Sequence, residues 1–545
     1  MRAAAWQFSA ALVAWALTVQ AASAAPPKLE TIIRIGESAD KKLDTITVTG
    51  KWDRWPLTLA ADGLGIRFEP LAAKGQFGIK IDAHAERGVR LVRLIDNSGA
   101  SNPLPFIVPT TAETREVEPN DEPATAQRMT GHPIAINGQL QKPGDVDMFA
   151  MPLKRGQTLV ADLVAHEVLG SPIDALLQVV EASGFVCAQN HDFHGLDPRL
   201  IFVAPRDGTY AVRLFAFTAE PNASINLSGG GAKAFYRLTL TTEGFVDYAF
   251  PLAVDHDKPA DVQLLGWNIP ARRRVLSLSP SPPGVDWHPW QPGLAGFGTI
   301  AVVDHPAIVE QDSGTAGAAQ SVKLPVTVSG RIDPAADTDT YRFSVHKGQK
   351  LNFRLESRTL GFPLDGVLKL SDRQGRALLR VDDLKDQRDP TLKYTVAADG
   401  ELDIAVSDLA ALGGPRHAYR LDLEIERPEY RVSAASAAFE LPAGKSVVVP
   451  ITIERIAGFQ EPIELKVLGL PSGISVAPLD KPAKDSKSMR LEFRAAAGAQ
   501  SGTISILGSS AESGQAQRVS APAGFADWKT INLWLTILPA AAPGK

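Results

Sequence analysis

The sequence predicts an all-β chain of tandem β-sandwiches, and three observations carry that prediction. Period-2 alternation of apolar and polar residues recurs along the chain, as in "DTITVTG", "TYAVRLFAF", "YRLTLTT", "DTYRFSV", "KLNFRL" and "SVVVPITIER". Successive strand side chains point to opposite faces, so alternation marks a strand with one buried face. Asp-Gly, Pro-Gly, Ser-Gly and Gly-Gly turns separate these runs, and helical periodicity is nearly absent. A long segment also occurs twice. At 545 residues the chain exceeds one hydrophobic core, and that length suggests roughly three to five domains.

The first copy of the repeat reads "INGQLQKPGDVDMFAMPLKRGQTL", Ile136 to Leu159, and the second "VSGRIDPAADTDTYRFSVHKGQKL", Val328 to Leu351. Gly138 matches Gly330, Asp145 matches Asp337, Asp147 matches Asp339, and Gly156-Gln157 matches Gly348-Gln349, each pair 192 positions apart. The likeness continues through "LGSPIDALLQV" and "LGFPLDGVLKL", "LDPRLIFVAPRDGTYAV" and "RDPTLKYTVAADGELDI", and "YRLTL" and "YRLDL". The stretches outside the repeats open like small immunoglobulin-like domains, with "DTITVTGKWDRWPL" before the first and "ADVQLLGWNIPARR" before the second. This predicts immunoglobulin-like units over 25–112, 245–306 and 429–540, and repeats over 113–244 and 307–428.

Residues 1–24 read as a secretory signal peptide: Arg2, an apolar run, then Ala22-Ser23-Ala24 before the cleavage point. No later segment reaches the roughly 20 apolar residues of a membrane span. The expectation is an exported protein, periplasmic or extracellular, including the cell surface. Hydrophobic residues at 44% and charged residues at 21% indicate a globular chain. A net charge of −5, with only the short Arg272-Arg273-Arg274 run, speaks against nucleic acid as a partner. Cys187 is the sole cysteine, so neither an intramolecular disulfide nor a zinc–thiolate cluster can form. "GFVCAQ" places it on a strand as a buried structural thiol.

The segments "EVEPNDEPATAQ", "GDVDMF", "KRGQTL" and "PRDGTYAVRL" of the first copy, with "ADTDTYRF", "HKGQKL" and "YRL" of the second, resemble the bacterial pre-peptidase C-terminal domain. That is also the fold of the collagen-binding domains of clostridial collagenases. The alternation with immunoglobulin-like pieces resembles large exported proteins of planctomycete-like bacteria. The resemblance implies a jelly-roll β-sandwich, calcium binding in some members, and an accessory rather than catalytic role.

The opening stretch "REVEPNDEPATAQ" crowds Glu116, Glu118, Asp121 and Glu122 around a Pro-Asn pair. Residues two apart in an extended segment face the same way, so Glu116 and Glu118 present their carboxylates together. Asn120 and Asp121 can add oxygens from a turn, and Asp145 and Asp147 repeat the two-residue spacing. Calcium takes 6–8 oxygen ligands in a flexible shell. The resemblance carries that role to Glu116, Glu118, Asn120, Asp121, Asp145 and Asp147; a solvated acidic linker is the alternative. The second copy offers Glu310, Asp312, Asp337 and Asp339 without the Glu-Pro-Asn-Asp run, a weaker set.

Other features suggest less. "NHDFHGLD" groups His191, Asp192, His194 and Asp197. The second copy has no histidine there, so an exposed acidic loop is expected over a transition-metal site. Trp287, Trp290, Trp52 and Trp55 are expected to pack against the walls of small domains rather than to stack on a ligand. Gly-x-Ser-x-Gly, His-Glu-x-x-His and phosphate-loop motifs do not occur. The sequence therefore points to a non-catalytic, calcium-stabilised binding or adhesion scaffold for a protein or polysaccharide ligand. An accessory substrate-binding subunit of an exported hydrolase is the alternative.

Overall fold

The computed structural model describes residues 26–538 apart from 38–43, 63–64, 84, 86, 97, 132, 221–227, 281–285, 312–318, 383–387 and 525–527. Residues 1–24, which the sequence reads as a signal peptide, and Asp312 lie outside the described residues. The chain is all-β, a tandem series of β-sandwiches, and each of five larger apolar clusters sits within one stretch of sequence.

The two segments around the repeated motif share one strand order. In the first, one sheet runs Gln127–Arg128, Asp147–Leu153, Gly208–Thr218, Ile173–Glu181, Val186–Asn190. The facing sheet runs Arg199–Val203, Thr158–Val164, Phe235–Thr241, Ile134–Gln139, Ala112–Arg115. In the second, the sheets run Gln320–Ser321, Thr338–Val345, Gly400–Asp408, Gly366–Asp372, Ala377–Val381 and Thr391–Thr395, Lys350–Glu356, Ala418–Ile425, Val326–Arg331, Ala307–Val309. The alternation explains the packing: Tyr210, Val212 and Leu214 point into the first core, and Leu351, Phe353 and Leu355 into the second. Truncating a fully buried ring such as Phe353 to alanine costs about 3–5 kcal/mol.

The repeated motifs are turn devices. Gly156 and Gly348 take φ values of +78° and +85°, a region open to glycine for want of a Cβ. Gln157 and Gln349 close the same turns, their Oε1 atoms accepting from the amides of Lys154 (3.0 Å) and His346 (2.8 Å). Asp207 and Asp399, in the two Asp-Gly turns, accept from the amides of Arg155 and Lys347. Asp197 and Asp389 each accept from three successive amides, at 165–167 and 357–359, capping a short helical turn.

Before the first repeat, Lys28–Glu37, Asp44–Lys51, Gln76–Ile81 and Ile66–Pro70 form one sheet, and Gly88–Asp96 pairs with Thr58–Ala61, Gly99–Ala100 and Leu104–Val108. Between the repeats, Phe245–Phe250 and Ala260–Trp267 centre a four-stranded sheet. After the second, sheets built on Ser446–Ile456 and Gly502–Ser509 enclose a core that includes Tyr430, Ile451, Phe493 and Leu533. Trp55 meets Phe77 edge-on, Trp52 packs on the same core, and Trp287 lies against the middle core. Arg87 lies over the Trp290 ring, 4.3 Å from its centroid. Cys187 is on a strand but only half-buried, because its hairpin sits at the sheet edge; the buried thiol expected from the sequence is corrected accordingly.

Charged joints lock the units together. Asp247 of the middle unit, with a side chain 3% exposed, accepts from Arg199 of the first repeat and from Arg416 Nε of the second at 2.6 Å. Arg199 also reaches Asp162 at 2.5 Å, so two cations face two anions. Phe193 lies under both guanidinium groups. His194 is half-buried here against Gly361 of the second repeat, and desolvation pushes its imidazole down to about 4. The "NHDFHGLD" loop is exposed at His191 and Asp192, as expected, but His194 is half-buried in the interdomain joint and Asp197 is buried as a cap. At the other end, buried Arg93 donates to the Ala523 carbonyl (3.3 Å), tying the first unit to the last.

Removing one partner of a buried ion pair leaves its counter-charge unpaired, a loss of roughly 3–5 kcal/mol. Asp247→Ala is expected to lower the urea stability of the full chain by that order, whereas exposed Asp261→Ala should change it by less than about 0.5 kcal/mol. Equal midpoints for wild type and Asp247→Ala would contradict the joint.

Candidate metal centre

The segment carrying the acids is fixed by backbone pairing before any ligand is considered. Ala112–Arg115 runs parallel to Ile134–Gln139, and the Glu116 amide extends the ladder to the Asn137 carbonyl at 3.0 Å. Gln127 clasps the next residues: its Oε1 accepts from the Val117 amide (2.9 Å) and its Nε2 donates to the Arg115 carbonyl (3.0 Å). The Asn120 carbonyl accepts from the Met148 amide at 3.1 Å, bringing the Pro-Asn turn onto the strand that opens with Asp147.

This folding brings five of the six expected ligands into two overlapping groups. One carboxylate oxygen from each of Glu116, Glu118 and Asp147 lies within 4.8 Å of the others, as does one from each of Glu118, Asp121 and Asp145. Glu118 is common to both. Two oxygens on opposite sides of a calcium ion, each 2.3–2.6 Å from it, are roughly 5 Å apart, so these spacings suit a single cation. The sixth, Asn120, is fully buried, and neither its Oδ1 nor its Nδ2 has a hydrogen-bond partner among the described residues.

Asp147 is the centre of the problem. It is 0% exposed. Tyr236, from the facing sheet, donates to its Oδ2 at 2.6 Å, while its Oδ1 has no partner. Burial, followed by the charges of Glu116, Asp145 and Glu118, pushes its carboxyl up to about 8 against the relief of the Tyr236 bond. Burial also raises Glu116 and Glu118 above the usual carboxylate range, although the amides of Gln139 and Asn120 donate to them. Asp145, 2% exposed, accepts from the Gln141 amide at 2.5 Å and has Lys142 Nζ at 3.7 Å. That lysine side chain is 68% exposed and cannot offset the cluster through solvent.

Buried polar groups without partners are costly, and buried like charges more so. Orphaned oxygens of Asp147 and Asn120 beside four further carboxylates meet the donor requirements of a hard cation. The set is all oxygen, which suits calcium and not zinc or copper.

The second repeat does not assemble the same set. Glu310 Oε2 accepts from the Arg331 amide (2.8 Å), and Tyr419 donates to Asp339 (2.7 Å). Half-buried Asp337 turns back to the Thr338 amide (2.7 Å). Among the described residues, no third carboxylate or histidine joins Glu310 and Asp339. Tyr236, Gln127 and the Gln139 amide escaped sequence reasoning. The shared "YRL" endings held the only signal for Tyr236.

No family model matches this chain. A probable subtilase-type serine protease of Deinococcus radiodurans is 37% identical over 94 residues, 17% of this chain and 13% of that protein. Among solved structures, the pre-peptidase C-terminal domain of a Bacillus anthracis collagenase covers 20% of this chain and 95% of its own length, at 12% identity and a TM-score of 0.16. A Clostridium perfringens M60 catalytic domain with two CBM51 domains covers 73% of this chain and 55% of its own, at 10% identity and a TM-score of 0.14. Scores this low carry no argument, and the fold rests on the chain's own sheets.

With no cation bound, Asp147 is raised to about 8 in the folded state against 3.8 as its ordinary value. The folded state then holds a proton that the unfolded chain has released. Its stabilising contribution is complete below about pH 4 and is lost as pH rises toward 8. Urea melts in chelator across pH 5–8 should show falling stability, and Asp147→Asn should flatten the slope. A wild-type slope that persists unchanged in Asp147→Asn would contradict the assignment.

Proposed function

We propose that this chain is an exported, non-catalytic binding scaffold whose first repeat is stiffened by one calcium ion. The observation supporting the calcium is the partnerless, fully buried Asp147 Oδ1 on a residue grouped with Glu116 and Glu118, the latter also grouped with Asp121 and Asp145. Asp147 belongs to one sheet and Glu116 follows an edge strand of the other, so a shared cation would tie the two sheets and the incoming linker together. Export rests on the composition of residues 1–24. The ligand, protein or polysaccharide, would be met by loops and sheet faces on a body held rigid by the Asp247 joint.

A second reading is an accessory subunit presenting substrate to an exported hydrolase. The 94-residue likeness to a probable serine protease favours it. Co-purification of a protease with the chain from an envelope fraction would select this reading. Binding on a glycan and matrix-protein array without any co-purifying enzyme would select the first.

A ligand bound only by the folded state stabilises it by about 2.7 kcal/mol at a hundred times its dissociation constant. Millimolar calcium should therefore raise the melting temperature of the first repeat's transition in the full chain by several degrees. Glu118→Gln combined with Asp147→Asn should abolish the shift, and Asp337→Asn should barely alter it. Coincident melting curves in calcium and in chelator would contradict calcium binding by these acids.

A further inference from the structure

A three-residue corner, 304–306, joins the middle unit to the second repeat. Ala301–Val303 ends the one, and Ala307–Val309 opens the other. Within the corner, the His305 side chain is only 10% exposed. Its Nδ1 lies 2.9 Å from Asp304 Oδ1, and its Nε2 lies 2.8 Å from Thr327 Oγ1. Thr327 is 0% exposed and donates its hydroxyl hydrogen to Asp422 Oδ1 at 2.7 Å. Arg354 Nη2 donates to the other oxygen of Asp422 at 2.8 Å, which keeps that carboxylate an acceptor. The order acid, imidazole, hydroxyl is that of a hydrolase triad. Here the hydroxyl is fully buried and already committed to Asp422, so it is no nucleophile.

Counting hydrogens fixes the state of the ring. A hydroxyl has one hydrogen to give, and an ionised carboxylate has none. Thr327 gives its hydrogen to Asp422, so His305 Nε2 must donate to Thr327. The Asp304 carboxylate only accepts, and the bond from His305 holds it below the usual carboxylate range, so Nδ1 must donate too. An imidazole that donates from both nitrogens is an imidazolium. A neutral ring would set a lone pair of nitrogen against Asp304, or against Thr327 unless that hydroxyl abandoned Asp422. The cluster belongs to the second repeat alone. At the same ladder positions the first repeat pairs Ala135 with Thr239, where the second pairs Thr327 with Asp422.

We propose that His305 is held as an imidazolium and works as a pH-sensitive staple, pinning this corner to the second repeat until the ring loses its proton. The Pro306 carbonyl accepts from the Thr327 amide at 3.0 Å, and Asp255 of the middle unit accepts from the Ala307 amide. Asp304 meets Arg427, which follows the last strand of the repeat, at 3.5 Å. Loosening the corner therefore reaches both the entry to the repeat and its exit toward the last unit.

The charged groups around the ring are Asp304 on its own segment, and Asp422 and Glu424 on the strand Ala418–Ile425. Arg427 lies near Asp304 and Glu424, and Arg354, on Lys350–Glu356, stands behind Asp422. Asp255, on Ala253–Asp255 of the middle unit, is occupied by the Ala307 amide and by Lys258. The bond to Asp304 lifts His305 above its ordinary 6.5 against the opposing effect of burial, and the charges of Asp304, Glu424 and Asp422 add to the lift. The folded state thus keeps a proton that the unfolded chain gives up. The staple's contribution is whole below about pH 6.5 and is lost as pH rises through the raised value. Over that interval one linked proton favours opening of the corner by up to about ten-fold per pH unit.

Two measurements on the full chain, both in saturating calcium, test the staple. The first is an NMR titration of the chain labelled with carbon-13 at Cε1 of its ten histidines. The His305 resonance is the one lost in His305→Gln; should that chain fold poorly, Asp304→Asn, at an exposed position, assigns it by displacement. Its midpoint is expected above 6.5 in the wild type and lower in Asp304→Asn. A wild-type midpoint at or below 6.5 would overturn the imidazolium. The second is hydrogen–deuterium exchange of the peptide covering 304–309 from pH 6 to pH 9, corrected for the intrinsic rate. The wild type should lose protection as pH rises, by up to about ten-fold per unit, and His305→Gln should show no such dependence. Wild-type protection that does not change with pH, or a dependence that survives in His305→Gln, would overturn the staple.

Discussion

The constraint on which the first repeat turns is that Asp147 is buried with a carboxylate the protein itself does not neutralise. Tyr236 satisfies one oxygen, and the other faces further acids. A carboxylate in such a place must be protonated, paired or bound to a cation. The two repeats resolve the same inherited geometry in different ways. The Glu-Pro-Asn-Asp run delivers Glu118, Asn120 and Asp121 to the first, which gains enough oxygens to coordinate an ion. The second lacks that run and has Tyr341 in place of Phe149, so its acid is met by a chain of two tyrosine hydroxyls.

Above the level of one sandwich, the chain is more than units on a string. Asp247 binds arginines from both repeats, and the net charge of the Asp162, Arg199, Asp247 and Arg416 group is zero. Aromatic rings of Phe193, Phe245 and Trp267 shield that group from water. Tyr248 and Phe250 add an apolar seam with Phe362. Such a joint ties both repeats to the middle unit through one buried carboxylate.

Local chemistry was legible in the sequence, and distant partnership was not. Strand alternation, the Gly-Gln turns and the paired Asp-x-Asp motifs act within a few residues, so their periodicity announces them. The acids of the candidate metal centre were visible as a crowd because all five lie in two short segments. Tyr236 lies 89 positions from Asp147 in the chain, and no spacing rule links them. His194 and Asp197 looked like an exposed loop because Gly361, which packs against the half-buried histidine, belongs to another unit. Cys187 was placed on its strand correctly, but strand position alone did not reveal that its hairpin lies at a sheet edge. The change from Phe149 to Tyr341 was on view from the start, yet its meaning required Tyr419 beside it.

The account stands most directly on the identity of what sits against Asp147. A crystal structure of the full chain grown in calcium, with anomalous data collected at long wavelength, measures this without reference to stability. The account predicts one anomalous peak at calcium–oxygen distance, about 2.3–2.6 Å, from Asp147 Oδ1, with Glu116, Glu118 and Asn120 in its shell. A map with no such peak, and a water hydrogen-bonded to a protonated Asp147 in its place, would contradict it.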